Sequence, residues 1–319
     1  MPLDPDAQLV IDMIRAAGRP PFETLTPAEA RQAYSNSRKV LQPPAQDVAE
    51  TRDLTAPGPR GDIPLRAYRG LGTDPAEKLP ALVYFHGGGW LLGDLDSHDG
   101  VCRRFANAAR CRVVSVDYRM APEHKFPASV DDSAAATRWV MTNATSLGID
   151  ASRVAVGGDS AGGNLAAVIA LMARDGGLPS VVFQLLIYPA TDMRMVTTSS
   201  QSVTEGVPLT SATMRWFIDH YMRSAQDEND WRASPLRAAD LSDTAQALVL
   251  TCAYDPLCDE GVAYAQRLER EGVRVTHMHF SDQPHGFMSM GRIIRTADVA
   301  IDMMSAVLKK ALWPPGPPE

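Results

Sequence analysis

The 319-residue sequence predicts an α/β fold with a mostly parallel central sheet, helices on both of its faces and a helical cap. Short, nearly continuous apolar runs alternate with helical stretches, a pattern typical of parallel strands that are buried on both faces. Hydrophobic residues make up 45% of the chain and charged residues 22%, as in an ordinary soluble globular protein. The apolar runs that we interpret as strands are 81–85, 113–116, 154–156, 183–188, 247–251 and 275–280.

The predicted cap comes from two separate parts of the chain. Near the N-terminus, apolar residues recur at helical spacing: Leu9, Val10, Met13 and Ile14. Thr26 and Glu29 then form a capping box, with Pro27 at the first helical position. The strand and helix alternation begins near residue 50 and is interrupted by a Ser/Thr-rich stretch. The predicted boundaries are 1–50 for the N-terminal cap helices, 51–195 for the first part of the core, 196–225 for the cap insertion, 226–313 for the second part of the core and 314–319 for a Pro-rich tail.

The charge and the cysteine content limit which classes of partner the protein is expected to bind and which cellular compartment it is expected to occupy. With 31 Lys+Arg and 38 Asp+Glu, the net charge of −7 offers no basic surface for nucleic acid or anionic lipid. No apolar run reaches the roughly 18 residues that a membrane span requires, and no export signal is recognisable. The cysteines show no metal-binding or CxxC spacing, so we expect buried thiols in a reducing cytoplasm: Cys102, Cys111, Cys252 and Cys258.

Gly158-Asp159-Ser160-Ala161-Gly162 lies between a predicted strand and a predicted helix. This context favours a nucleophile elbow, in which small neighbours let the chain pack closely around a strained serine. The alternative is an ordinary tight turn. His86-Gly87-Gly88-Gly89-Trp90 follows the strand at 81–85, and such a loop can aim backbone N–H groups at a substrate oxygen. The Ala161 N–H is a further candidate donor. Both motifs together favour an acyl-transfer site.

An elbow serine needs a base, and the base needs an acid to orient it. His285 is the expected base, since it lies in a turn just after the last strand run. Asp255, which closes the strand run that continues from 247–251 through residue 254, is the preferred acid, with Asp282 and Asp259 left as alternatives. His277 and His279 share a sheet face, and we interpret them as surface or packing residues rather than metal ligands. The Asp94–Asp99 run lacks the glycine of a calcium loop.

Six motifs in this order resemble the bacterial hormone-sensitive-lipase-type (family IV) carboxylesterases. The motifs lie at 86–89, 116–127, 157–163, 188–189, 255–257 and 285–287. The resemblance implies an α/β-hydrolase fold and a triad of Ser160, Asp255 and His285. It also implies that Gly88, Gly89 and Ala161 donate to the oxyanion. Another expectation is that Asp117, Arg119 and Glu123 are buried polar residues that stabilise a turn.

The implied activity is hydrolysis of a small ester with short to medium acyl chains, without a metal or organic cofactor. The cap is expected to contribute an apolar substrate pocket, or simply to pack on the core, through Trp90, Leu209, Met214, Trp216 and Phe217. A homodimer is also expected. An amidase, a peptidase, an acyltransferase or a non-catalytic binding protein on this fold remains an alternative.

Overall fold

A computed structural model describes residues 2–314, and the remainder of the predicted tail lies outside it. Within these residues, eight strands form one sheet in the order β1-β2-β4-β3-β5-β6-β7-β8. Strand β2 is antiparallel to β1 and β4, and all later neighbours are parallel. The strands are β1 (Glu50–Gly58), β2 (Gly61–Arg69), β3 (Leu79–Phe85), β4 (Arg112–Val116), β5 (Ile149–Asp159), β6 (Phe183–Ile187), β7 (Gln246–Tyr254) and β8 (Val275–Pro284).

Helices cover both faces of this sheet. Alternate strand residues point to opposite faces, and the core accordingly divides into two clusters. Val83 and Phe85 pack on the side of α4, α5 and α8, whereas Leu82 and Tyr84 pack on the side of α3 and α9. The helices are α1 (Pro5–Ala16), α2 (Pro27–Leu41), α3 (Asp99–Ala109), α4 (Ala128–Thr142), α5 (Ala161–Arg174), α6 (Thr198–Ser202), α7 (Ser211–Tyr221), α8 (Cys258–Arg270) and α9 (Thr296–Leu312).

The predicted fold class is confirmed. Each of the six predicted apolar runs lies within one of the parallel strands β3 to β8, or overlaps it within a residue. Every residue of β3 is buried, as expected for a strand with helices above and below. A tight turn joins β1 to β2, where Gly58 pairs with Gly61.

The capping box that begins α2 is present: the Thr26 side chain accepts from the Glu29 N–H, and the Glu29 side chain accepts from the Thr26 N–H. The apolar face predicted for α1 was partly wrong. Leu9 and Met13 are 53% and 39% exposed, whereas Ala7, Val10 and Ile11 are buried. The pattern misidentified part of this face because α1 packs on the core through Ala7, Val10 and Ile11, which lie at i, i+3 and i+4.

The segment at 117–123 also differs in part from expectation. Arg119 donates to Asp132 at 2.7 and 2.8 Å, and Asp132 is buried at the N-terminal turns of α4. Glu123, however, lies at the surface with 55% of its side chain exposed, and it pairs with Arg31 of α2 at 2.6 Å. Its role is therefore to join α2 to this loop across the surface, not to fill a buried turn.

Cys102, Cys111 and Cys252 are buried as expected, Cys258 is half-buried, and all four thiols are free. Burial raises the pKa of each thiol, by desolvation of the thiolate. In the described part of the chain, no helix combines the length and the apolar character needed to cross a bilayer.

The closest backbone approach in the core lies where α5 begins. A Cβ added at Gly162 would overlap the carbonyl oxygen of Phe85 at the end of β3. We expect Gly162→Ala to destabilise the protein by about 3 kcal/mol or more, since neighbouring backbone cannot move aside as a side chain can. Urea unfolding monitored by circular dichroism measures this.

Gly100→Ala is the matched control, because Gly100 also lies in the first turn of a helix and nothing lies within 4 Å of its added Cβ. A stability of Gly162→Ala equal to that of Gly100→Ala would contradict the close packing.

Candidate active site

Ser160 lies at a sharp turn between β5 and α5. Its φ of 56° and ψ of −118° place it in the positive-φ region, which is strained for a residue with a side chain. Cβ atoms at Gly158 and Gly162 would both overlap the backbone at Phe85 or its neighbour. The elbow therefore sits directly on the end of β3, and only small residues on either side of Ser160 allow it.

Ser160, His285 and Asp255 form a continuous chain of hydrogen bonds. His285 Nε2 lies 2.9 Å from Ser160 Oγ, and Nδ1 lies 2.7 Å from Asp255 Oδ2. Because the carboxylate only accepts, Nδ1 carries the proton and Nε2 accepts from the serine hydroxyl. The side chains are well buried, with relative exposures of 8% for Ser160 and His285 and 0% for Asp255.

The acid and the base are held at the carboxyl edge of the sheet. Asp255 follows β7, and its Oδ1 accepts from the Leu257 N–H at 2.8 Å. His285 follows β8, its N–H donates to the Tyr254 carbonyl at 3.3 Å, and the Tyr188 ring lies 4.6 Å from the imidazole. The aromatic ring and the backbone bond restrict rotation of the imidazole.

The two alternative acids lie elsewhere. Asp259 accepts from the Ser199 N–H at 2.8 Å, and the Asp282 carboxylate faces the side-chain amide of Gln283. Neither of them bonds to His285. Of the three acids that the sequence leaves open, the structure brings only Asp255 to the imidazole.

The glycine loop after β3 has the shape expected of an oxyanion loop. Gly88 and Gly89 have φ values of 122° and 61°, and added Cβ atoms would overlap Leu92 and the Phe217 ring. The Gly88 carbonyl accepts from the N–H groups of Leu91 and Leu92 at 3.1 and 2.8 Å, which closes the loop. Within residues 2–314, the N–H groups of Gly88, Gly89 and Ala161 have no protein acceptor, so they can bind an oxyanion.

The predicted pocket residues occupy different environments. Leu209, Met214 and Phe217 are buried, and Trp216 is partly exposed. Phe217 lies against Gly89 of the oxyanion loop. Trp90 is fully buried with its ring stacked on Tyr221 at 4.5 Å, and this contact favours packing against α7 over direct contact with a substrate.

Asp159, which was not predicted as a site residue, lies beside the glycine loop. Asp159 Oδ1 accepts from the Tyr84 hydroxyl at 2.7 Å and from the Gly87 N–H at 3.0 Å, and His98 Nε2 lies 3.3 Å from Oδ2. Burial raises the pKa of Asp159, but His98 and the Tyr84 hydroxyl outweigh it and bring this pKa to about 2. The sequence did contain a signal for this residue, because Asp159 is a charged residue at the otherwise apolar junction between β5 and α5.

His277, His279 and His86 lie outside the triad, and each contacts another protein side chain. Thr251 Oγ1 lies 2.9 Å from both His277 Nε2 and His279 Nδ1, so these residues do share a face, and both are exposed. His86 stacks on Tyr118, and burial lowers the pKa of His86 to about 4. Over residues 2–314, no group of three or more His, Cys, Asp or Glu side chains is arranged to hold a metal ion.

Comparison with known proteins identifies the family. Residues 82–289 match the family described as the alpha/beta hydrolase fold. The chain belongs to that family. It is 41% identical over 294 residues to carboxylic ester hydrolase LipN of Mycobacterium tuberculosis, covering 90% of this chain and 77% of LipN. Ethyl acetate hydrolase of Pseudomonas putida is 39% identical over 318 residues, covering 98% of this chain and all of the relative.

Solved structures agree with this assignment. An α/β-hydrolase enzyme from the metagenome of Lake Arreo superposes with a TM-score of 0.93 at 43% identity, over 96% of this chain and 98% of that one. A hyperthermophilic esterase from the archaeon Pyrobaculum calidifontis superposes with a TM-score of 0.92 at 41% identity, over 98% and 100%. The resemblance to the hormone-sensitive-lipase-type carboxylesterases is thereby confirmed.

Glu260, at the start of α8, is a buried carboxyl group close to the site. Its Oε1 accepts from the N–H groups of Thr191 at 2.6 Å and Asp192 at 3.2 Å. Burial is the main cause that raises the pKa of Glu260, from 4.5 to about 8. The folded protein therefore holds this proton more tightly than the unfolded chain does.

The stabilising contribution of Glu260 is fully present below its unfolded pKa of 4.5 and is lost as the pH rises through about 8. Glu260→Gln keeps an acceptor for both N–H groups but does not titrate. We expect its free energy of unfolding, relative to wild type, to increase between about pH 5 and pH 8. Urea unfolding across this range measures the difference. Glu269→Gln, at an exposed position of the same helix, should show no such trend, and a constant difference for Glu260→Gln would contradict the assignment.

Proposed function

We propose that the protein is a serine carboxylesterase that hydrolyses small esters with short to medium acyl chains. The observation that carries this proposal is the hydrogen-bonded chain from Asp255 through His285 to Ser160, at 2.7 and 2.9 Å, beside amide N–H groups without a protein acceptor. A nucleophile, a base with an orienting acid and an oxyanion hole are together what acyl transfer needs.

In the acylation step, Ser160 Oγ attacks the ester carbonyl while His285 Nε2 takes the hydroxyl proton. The carbonyl oxygen becomes an oxyanion and accepts from the N–H groups of Gly88, Gly89 and Ala161. Loss of one such donor typically costs about 3–4 kcal/mol of transition-state stabilisation. His285 then gives its proton to the leaving alcohol oxygen as the tetrahedral intermediate collapses, which leaves the acyl group on Ser160.

In the deacylation step, water attacks the acyl-enzyme and His285 takes its proton. Collapse of the second tetrahedral intermediate releases the acid, and the proton returns to Ser160 Oγ. Asp255 keeps the proton on Nδ1 in the resting state and stabilises the imidazolium that forms twice in each cycle. His285 mediates every proton transfer, between Ser160, the leaving alcohol and the attacking water, so the cycle requires no organic cofactor or metal.

The cap assigned to 1–50 and 196–225 belongs to the same proposal. The Thr213 hydroxyl of α7 donates to Glu23 at 2.6 Å, and this bond supports a unit formed by both segments. Phe217 of the same helix covers Gly89. We infer that the cap closes over the oxyanion loop and that Leu209, Met214, Trp216 and Phe217 limit the size of the acyl group. Trp90 does not line the acyl site in this proposal but stabilises α7 by stacking on Tyr221.

The remaining proposals concern compartment and assembly. Four free thiols support a cytoplasmic location, because a reducing compartment keeps cysteines unpaired. Strand β8 forms one edge of the sheet in the part of the chain that is described. An edge strand offers unpaired backbone groups to a second copy, which supports a homodimer.

Ser160→Ala should abolish hydrolysis of p-nitrophenyl butyrate, since no other group can form the acyl-enzyme. A fluorescent alkyl phosphonate should label the wild-type protein once and leave Ser160→Ala unlabelled, as judged by intact-protein mass spectrometry. Ser146→Ala, at an exposed serine in the turn after α4, is the control and should behave like wild type. Hydrolysis by Ser160→Ala, or a wild-type protein that resists the phosphonate, would refute the proposal.

Phe217→Ala should shift acyl preference toward longer chains, because it removes the ring that lies on Gly89. The measurement is kcat/KM for p-nitrophenyl acetate, butyrate, octanoate and laurate, in which the ratio of laurate to acetate is expected to rise about tenfold or more. Ile218→Ala truncates a neighbouring buried residue of α7 and serves as the control for a loosened cap. Equal shifts in both variants would contradict a specific role for Phe217.

A further inference from the structure

Asp159 precedes the proposed nucleophile and is 5% exposed, yet it takes no part in the proton transfers described above. It is the last residue of β5, and its side chain points toward the glycine loop that follows β3. Desolvation makes a buried carboxylate costly. Its position beside an oxyanion hole adds repulsion toward a developing negative charge. Both effects are unfavourable, so Asp159 must make a contribution elsewhere in the site that offsets them.

The contact between Asp159 and the glycine loop is direct. The Gly87 N–H donates to Asp159 Oδ1 at 3.0 Å. A Cβ at Gly87 would overlap the Asp159 carboxylate and approach its carbonyl oxygen at 2.8 Å. The loop backbone thus rests on Asp159 immediately before Gly88, one of the proposed oxyanion donors.

The carboxylate is itself fixed from two further elements. The Tyr84 hydroxyl at the end of β3 donates to Oδ1 at 2.7 Å. His98, at the N-cap of α3, lies with Nε2 3.3 Å from Oδ2, and the Ser97 hydroxyl lies 3.0 Å from its Nδ1. The rings of Tyr84 and His98 also contact each other, with centroids 6.3 Å apart. Three donors from β3, the glycine loop and α3 therefore converge on one side chain.

We propose that Asp159 is a positioning residue that sets the Gly88 and Gly89 amides at the distance at which they bind the oxyanion. The inference rests on the proposed esterase function. Donors must lie about 2.7–3.1 Å from the position of the oxyanion, and a misplacement of about 1 Å can cost about 100-fold in rate. Asp159 meets this requirement because it joins the elbow that carries Ser160 to the loop that carries the donors.

The test separates binding of the oxyanion from binding of the ground state. A trifluoromethyl ketone adds to the serine and places an oxyanion in the hole, whereas the matching methyl ketone binds without stable addition. We expect Asp159→Ala to lower kcat/KM for p-nitrophenyl butyrate about 10- to 100-fold and to raise the trifluoromethyl ketone Ki by a similar factor. The methyl ketone Ki and the pH profile of kcat/KM should not change, because the triad is untouched.

Asp159→Asn retains an oxygen that can accept from Gly87 and Tyr84, so it should recover most of the loss. Tyr84→Phe removes one donor from the carboxylate and should produce a smaller loss in the same direction. This variant keeps the inference testable where Asp159→Ala does not fold.

Three results would overturn the inference. One is a wild-type trifluoromethyl ketone Ki in Asp159→Ala, and another is an equal loss of affinity for both ketones. The third is a loss in Asp159→Asn as large as that in Asp159→Ala, which would assign the effect to charge and not to geometry. Failure of the proposed function is distinguishable, because a wild-type protein that neither hydrolyses the ester nor binds the trifluoromethyl ketone fails before any variant is compared.

Discussion

The rest of the site depends on one contact, in which the turn at Ser160 packs directly against the end of β3. Positive φ at Ser160 reverses the chain between β5 and α5 within one residue. The reversal is possible only because glycines at 158 and 162 let it lie against the Phe85 backbone. This single approach places the serine hydroxyl beside the glycine loop and at the sheet edge where β7 and β8 end. The local strain is thus held by close packing against the buried end of β3.

Local patterns were sufficient for the elements and for the three residues of the proposed triad. Apolar runs identify β3 to β8 because strands buried on two faces have few polar residues. Ser160, Asp255 and His285 could be predicted from position, since each directly follows a strand. Similarly, the capping box at Thr26 depends on only four residues, and the structure contains both of its hydrogen bonds.

Contacts between side chains that are far apart in the sequence could not be predicted in the same way. Its position after a strand favoured Asp255, but excluding Asp259 and Asp282 depends on which loop lies beside the imidazole, a relation between β7 and β8 that no local pattern records. The role of Asp159 depends on Tyr84 and His98, which come from other elements. For α1, the apolar pattern was partly wrong, because the helix packs through Ala7, Val10 and Ile11 and leaves Leu9 and Met13 exposed.

The hydrogen bond between Ser160 and His285 joins residues 125 positions apart, and the bond between His285 and Asp255 spans 30. Such separations are characteristic of high contact order, in which the entropy of loop closure must be overcome before distant partners meet. The reactive centre therefore assembles only after the parallel strands β5 to β8 have paired. Regain of turnover during refolding consequently reports the completion of the whole sheet, and an intermediate with native helix content is catalytically silent.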